Sequence, residues 1–162
     1  MKPESTGNPF NEPGRKKPSP GVHIYSGHPT FVFLTVRTLK SSDWLVNAVA
    51  HEFIHETWLG SKAWLVSDYL LMPDHLHLFC APGEQAAEIG IEDWIQFWKR
   101  NFRLRHGNAD WKFQSRGWHH RLRNEESYSE KWRYMMENPV RRGLVKVADE
   151  WPFRGRVFEL RW

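Results

Sequence analysis

The stretch from Ala63 to Cys80, AWLVSDYLLMPDHLHLFC, decides the fold. Ala63 to Met72 and His75 to Cys80 are both apolar and rich in strand-forming residues, and only Pro73-Asp74 separates them. Two strands joined by so short a turn form an antiparallel hairpin. The sequence therefore predicts an antiparallel sheet built around this hairpin.

The segment before the hairpin predicts one strand and one helix. Phe31 to Thr38, FVFLTVRT, alternates and is rich in β-branched and aromatic residues, as strands are. The helix that follows should end near Gly60. Three residues could serve as its N-cap: Ser41, Ser42 and Asp43.

The segment after the hairpin predicts a helix, a strand and a last helix. Ile91 to Arg105 has helical spacing and Gly107 should stop it, while Trp111 to Arg123 is compatible with a fourth strand or an irregular pair. Asn124 is a good start for the last helix, which should end near Asn138 because a proline follows. This βαββαβ order plus one helix predicts an α+β fold, a ferredoxin-like antiparallel sheet with helices on one face and an added C-terminal helix.

Composition predicts one domain. The chain has 162 residues, 40% of them hydrophobic, which suffices for a single core. Residues 1–20 are rich in proline and predict a disordered tail, so the domain should span 21–162. The single cysteine, Cys80, excludes an intramolecular disulfide, and the N-terminus fits neither a signal peptide nor a membrane span. The cytoplasm is the expected location.

Positive charge is concentrated in the second half of the chain. Phe97 to Lys146 holds 13 Lys or Arg against 5 Asp or Glu, interleaved with aromatic residues, although the net charge is only +4. Such a stretch could contact phosphates and stack on bases, or it could consist of solvated helix faces over a tryptophan core. The candidate phosphate contacts are Arg100, Arg103, Arg121 and Arg123.

Two motifs carry candidate chemistry. His75 and His77 are two residues apart on a strand, so both imidazoles should project from one sheet face and could share a metal ion. On the last helix, Tyr134 and Asn138 are four residues apart and should share a helical face. A tyrosine can form a covalent phosphotyrosine, whereas a half-buried structural tyrosine is the alternative. Tyr128 lies on the same helix, but six residues, about 240° around the axis, should keep it off that face.

These motifs together resemble a known family. LMPDHLHLFCAP resembles the MPNHVHLL signature of IS200-like transposases, and RYMMENPVRRGLV resembles the tyrosine helix of their REP-associated branch. WKFQSRGWHHRLRNEES, between them, is similar to the family segment WQRGYxDxxIRdeeE. The region that resembles the family covers Thr30 to Phe153.

The resemblance implies a tyrosine HUH (Y1) endonuclease that acts on single-stranded or hairpin DNA. It implies Mg²⁺ or Mn²⁺ held by His75, His77 and Asn138, Tyr134 as nucleophile, and a 5′-phosphotyrosine intermediate. Whether the chain is a monomer or a homodimer that supplies the tyrosine in trans stays open. Asp74 stands where the family prefers Asn, and His119-His120 replaces an aromatic and acidic pair, which leaves their role open and makes His120 a further candidate ligand.

Two alternatives compete with this interpretation. HEFIH, residues 51–55, matches the H-E-x-x-H pattern of zinc metalloproteases, but no third ligand follows at the expected spacing, and surface histidines explain it better. The other alternative is a nucleic-acid-binding domain derived from such a transposase that has lost catalysis.

Overall fold

The computed structural model describes residues 30–160 and contains a five-stranded antiparallel sheet with three helices. The predicted disordered tail lies outside the described residues. In chain order the elements are β1 (Val32–Thr38), α1 (Ala48–Leu59), β2 (Trp64–Leu71), β3 (His75–Pro82), α2 (Ile91–His106), β4 (Phe113–Arg121), α3 (Glu125–Arg141) and β5 (Arg154–Arg156). The strand order is β4-β1-β3-β2-β5, so the predicted ferredoxin-like α+β sheet is confirmed.

The two faces of the sheet carry different helices. Alternate strand residues such as Leu76 and Leu78 pack with Ile54 of α1 and Trp98 of α2 in one cluster. Side chains of the opposite parity form a second cluster with Met135 of α3. Thus α1 and α2 cover one face, and α3 lies on the other. No helix within residues 30–160 is long and apolar enough to cross a membrane.

The predicted N-cap of the first helix is wrong, because α1 begins after Asn47. Its side chain accepts hydrogen bonds from the backbone N–H groups of Val49 and Ala50, at 2.9 and 3.3 Å. The proposed cap residues instead belong to a 3₁₀ turn and the loop after it, where Ser41 has a positive φ of 51°. The loop also carries the fully buried Leu45 into the core.

The last helix also departs from prediction, since it passes through Pro139 and ends at Arg141. A proline inside a helix forfeits one backbone hydrogen bond, but burial of Asn138 and Pro139 against the sheet holds this turn in place. Gly143, with φ of 69°, adopts the left-handed conformation that ends helices. The structural stop is therefore this glycine rather than the proline.

The sheet contains one strand that the sequence did not predict. β5 has only three residues and pairs with Asp68 to Leu70 at the edge of β2. Gly155 permits this pairing, because a Cβ there would lie 2.6 Å from Tyr69 Oη. Arg156 stabilises the pairing of β5 with β2, because its guanidinium donates hydrogen bonds of 2.9 and 3.1 Å to the Asp68 carboxylate. A three-residue strand is too short to leave an alternating pattern.

Candidate active site

The two histidines of β3 lie side by side under α3. His75 and His77 are 6% and 5% exposed, and their ring centroids are 4.8 Å apart. Leu76, between them, points into the cluster on the other face. The alternation of the strand thus places both imidazoles on one face, as expected from their spacing.

Each imidazole is oriented through its Nδ1 atom. The His75 Nδ1 lies 2.8 Å from Asp74 Oδ1, and the His77 Nδ1 lies 2.8 Å from Thr35 Oγ1 on β1. A carboxylate only accepts, so His75 Nδ1–H must donate to Asp74. The Thr35 hydroxyl can donate or accept, and donation to it from His77 Nδ1–H is the arrangement that leaves the His77 Nε2 lone pair free. Asp74, which departs from the family pattern, therefore orients a histidine.

Asn138 of α3 completes the cluster. Its Nδ2 lies 3.4 Å from His75 Nε2 and 3.1 Å from His77 Nε2, and the residue is 9% exposed. Exchange of the amide N and O positions would direct the oxygen at the same point. Within residues 30–160 no group of three or more His, Cys, Asp or Glu could hold a metal ion, and at this point the amide adds a third protein donor to the two histidines. Two imidazole nitrogens and an amide oxygen are a suitable donor set for a divalent cation.

The electrostatics of the site keep both imidazoles neutral. Burial lowers the pKa of His77 to about 3, and His75 adds to the effect. Burial also lowers the pKa of His75, although Asp74 opposes it. Burial raises the pKa of Asp74, but its hydrogen bond with His75 and the charge of Arg142 outweigh this and leave the pKa below its ordinary value. Neutral imidazoles are the form that binds metals.

Tyr134 stands at the open side of this cluster. It lies one helical turn before Asn138, its ring centroid is 5.9 Å from that of His77, and it is 43% exposed. Two cations flank the ring: Lys131 Nζ is 5.7 Å from its centroid and Arg141 Cζ is 5.1 Å from it. Tyr134 is therefore accessible, next to the histidines and beside two cations, one of which, Arg141, is also paired with Glu137 at 3.0 Å.

Tyr128 also contacts the sheet, although its angle of about 240° from Tyr134 around the helix axis predicted that it would lie on another face. Its ring packs against Phe79 and Phe31, at centroid distances of 4.6 and 5.7 Å, away from the histidine pair. Its hydroxyl donates to Asp68 at 3.2 Å. Burial and the Asp68 carboxylate raise its pKa to about 12. Position along the helix, rather than the face, separates the two tyrosines.

The four candidate phosphate contacts do not form one cluster. Arg100 and Arg103 of α2 line a cavity of about 410 Å³ together with the first residues of β4. Arg121 is the last residue of that strand, roughly 25 Å farther along, and Arg123 follows in the loop before α3. The first pair thus lies on the α1–α2 side of the sheet, whereas Tyr134 lies on the other.

Sequence reasoning missed Thr35 and the cations beside Tyr134. Lys131 is three residues before the tyrosine, so helical spacing could have identified it. No sequence signal marks Thr35, because its role depends on the pairing of Thr35 with His77 across β1 and β3. His120, a candidate ligand, packs against Phe33 and Trp118 instead, at centroid distances of 6.1 and 4.8 Å.

The HEFIH histidines have a different partner. His51 Nε2 and His55 Nδ1 lie 2.8 and 3.0 Å from the hydroxyl of buried Tyr69 on β2. These hydrogen bonds attach α1 to the sheet. The pentapeptide therefore has a structural role in this fold.

Fold and site together define a class: a ferredoxin-like domain in which a helix places a tyrosine beside paired sheet histidines. No family model matches the chain. It is 30% identical over 91 residues to the REP-associated tyrosine transposase of Escherichia coli (strain K12), which covers 54% of this chain and 52% of that protein. The chain thus matches about half the length of this curated relative.

A solved structure, of a REP-associated tyrosine transposase bound to a REP hairpin, has the same fold. It superposes with a TM-score of 0.64 at 22% identity, over 84% of this chain and 81% of that one. The resemblance to IS200-like transposases of the REP-associated branch is therefore confirmed.

Proposed function

We propose that the protein nicks and rejoins single-stranded DNA through a 5′-phosphotyrosine intermediate, as a REP-associated type of transposase. One observation carries the proposal: the Nε2 atoms of His75 and His77 converge on the Asn138 amide, and Tyr134 lies one turn away on the same helix. The similarity to REP-associated tyrosine transposases supports it.

The donor atoms of His75, His77 and Asn138 would hold a divalent cation, Mg²⁺ or Mn²⁺. Such a cation, when bound, supplies polarisation of the scissile phosphate and neutralises charge that develops on it. Asp74 and Thr35 hold the two imidazoles in place, and Nδ1–H donation to both of them leaves each Nε2 free to bind the cation.

Tyr134 is the group positioned to react. Its Oη gives up its proton and attacks the phosphorus, the bond from phosphorus to the 3′ oxygen breaks, and the departing oxygen takes up a proton to become a free 3′-hydroxyl, so that one proton is lost and one gained. Lys131 and Arg141, which flank the ring, stabilise the negative charge of the bound strand. Attack of a 3′-hydroxyl on the phosphotyrosine reverses the step and rejoins DNA.

A covalent-adduct assay tests the proposal. The protein is incubated with a pool of 3′-labelled single-stranded oligonucleotides that carry hairpins with randomised flanks, with Mg²⁺, with Mn²⁺ or with a chelator. We expect labelled protein on denaturing gels with either metal and none with the chelator. Binding without any adduct or cleavage would instead identify a non-catalytic nucleic-acid-binding domain.

A further inference from the structure

An exposed tryptophan lies beside the candidate active site. Trp118 of β4 is 56% exposed and pairs with Thr35 of β1, which pairs with His77 of β3. Residues directly opposite each other in an antiparallel sheet project from the same face. Trp118 therefore lies on the histidine face, with its backbone about 10 Å from that of His77 at ordinary strand spacing.

His120 places an imidazole ring next to this indole. Its ring is 4.8 Å from that of Trp118, and its buried Nδ1 has no hydrogen-bond partner within the part of the chain that the structure describes. His119 projects from the other face, where its Nε2 lies 3.5 Å from Glu92. This nitrogen is inaccessible, but His120 as a whole is only partly buried, so the exposed edge of its imidazole can reach a ligand that stacks on Trp118.

The surroundings indicate what that ligand is. Among the residues that the structure describes, β4 is the edge strand of the sheet, and more than half of the Trp118 side chain is exposed. Lys131 Nζ lies 5.7 Å from the ring of Phe33, which also contacts His120. A stacking surface, a hydrogen-bonding atom and a nearby cation together suit one nucleotide: its base, the edge of that base and its phosphate.

We propose that Trp118 stacks on a base of the single strand close to the phosphate cleaved at the histidine pair, and that His120 contacts the edge of that base. This inference rests on the proposed function. The sequence left the role of His119 and His120 open. In this proposal His119 faces Glu92 of α2, and His120 faces the DNA.

Binding of oligo(dT) is compared with binding of an abasic oligonucleotide of equal length and charge by fluorescence anisotropy. We expect the wild-type protein to prefer oligo(dT), and Trp118→Ala to weaken oligo(dT) binding by about tenfold while abasic binding stays unchanged. Trp118→Phe should restore part of the preference. Trp132→Ala, which removes another exposed tryptophan, is the matched control and should keep it.

His120→Phe retains the ring and removes both nitrogens. It should level the affinities for oligo(dA), oligo(dC) and oligo(dT) while the preference over the abasic chain persists. A wild-type protein that binds abasic and base-bearing chains equally, or a Trp118→Ala variant that keeps the preference, overturns the stacking inference. Equal wild-type affinities for the three homopolymers overturn the role of His120. The proposed function is judged separately, by the covalent adduct.

Discussion

Thr35 Oγ1 and His77 Nδ1 lie 2.8 Å apart, and this contact joins β1 to β3 at the centre of the sheet. The hydroxyl can accept from His77 Nδ1–H, the tautomer in which Nε2 is unprotonated. The other nitrogen then keeps its lone pair directed at Asn138, 3.1 Å away. Thr35, which belongs to none of the sequence motifs, thus orients His77, which is central to one of them.

Removal of this hydroxyl should weaken metal binding without disturbing the fold. Thr35→Val preserves side-chain shape, and we expect a loss of roughly 10- to 100-fold in Mn²⁺ affinity, the usual effect of deleting a partner that orients a ligand. Isothermal titration calorimetry measures it. Thr35→Ser, which keeps the hydroxyl, is the matched control, and equal affinity in the Val variant would remove Thr35 from the site.

Loss of the histidine pair should separate catalysis from DNA binding. His75→Ala with His77→Ala should abolish adduct formation, as chelation does, while most oligo(dT) affinity remains because basic side chains supply it. His51→Ala with His55→Ala is the matched control. It should lower stability, because it removes the hydrogen bonds to Tyr69, and leave adduct formation intact. Nicking at the wild-type rate by the first variant would contradict the metal site.

The two tyrosines of α3 should differ in an adduct assay. Tyr134→Phe removes only the hydroxyl of an exposed ring, so folding and DNA binding should persist while the covalent adduct disappears. Tyr128→Phe should retain the adduct and lose about 1 kcal/mol of stability with its hydrogen bond to Asp68. Peptide mapping of the labelled protein decides between them, and label on a peptide with Tyr128 but not Tyr134 contradicts the mechanism.

Salt dependence should distinguish the two sides of the sheet. On a short oligo(dT), Lys131→Ala with Arg141→Ala should reduce the log–log salt slope by about 0.7 for each phosphate that the variant no longer neutralises. Arg100→Ala with Arg103→Ala should leave that slope unchanged, since a short strand at Tyr134 does not reach the α2 side. A reduced slope in the second variant on hairpin DNA alone would show that longer DNA extends to that side.

Acid should destabilise the contact between α1 and the sheet. Burial, and then His55, lower the pKa of His51 below its ordinary 6.5. As the pH falls, His51 is therefore protonated at a higher pH in the unfolded chain than in the folded protein. The free energy of unfolding should then fall as the pH drops from about 7 to about 5. Urea unfolding at both pH values should show a smaller fall in His51→Gln than in the wild type. Equal falls would mean that His51 does not contribute.

The order and type of the main elements could be predicted because their signals are local. Gly107 adopts the left-handed conformation, with φ of 62°, where the end of α2 was expected. The alternation of β3 also placed both histidines on one face. By contrast, β5 depends on pairing with β2, a tertiary contact that a local pattern does not contain.

The candidate site divides in the same way. Spacing alone predicted that Tyr134 and Asn138 share a helical face, but only the structure shows that this face packs against the histidines of the sheet. The anchoring of His77 by Thr35 is a contact between residues 42 apart, and that of Asn138 to His75 spans 63. Only the three-dimensional arrangement reveals such partners.

The separation of Asn138 from the histidines has a consequence for protein synthesis. The strands β1 to β4 leave the ribosome before the helix that carries Tyr134 and Asn138, and only the short edge strand β5 follows that helix. A nascent chain can therefore complete most of its sheet while it still lacks both the third donor and the nucleophile. Under the proposed function, reactivity toward DNA would then arise only when the last helix docks, so a nascent chain that ends before this helix would lack the nucleophile.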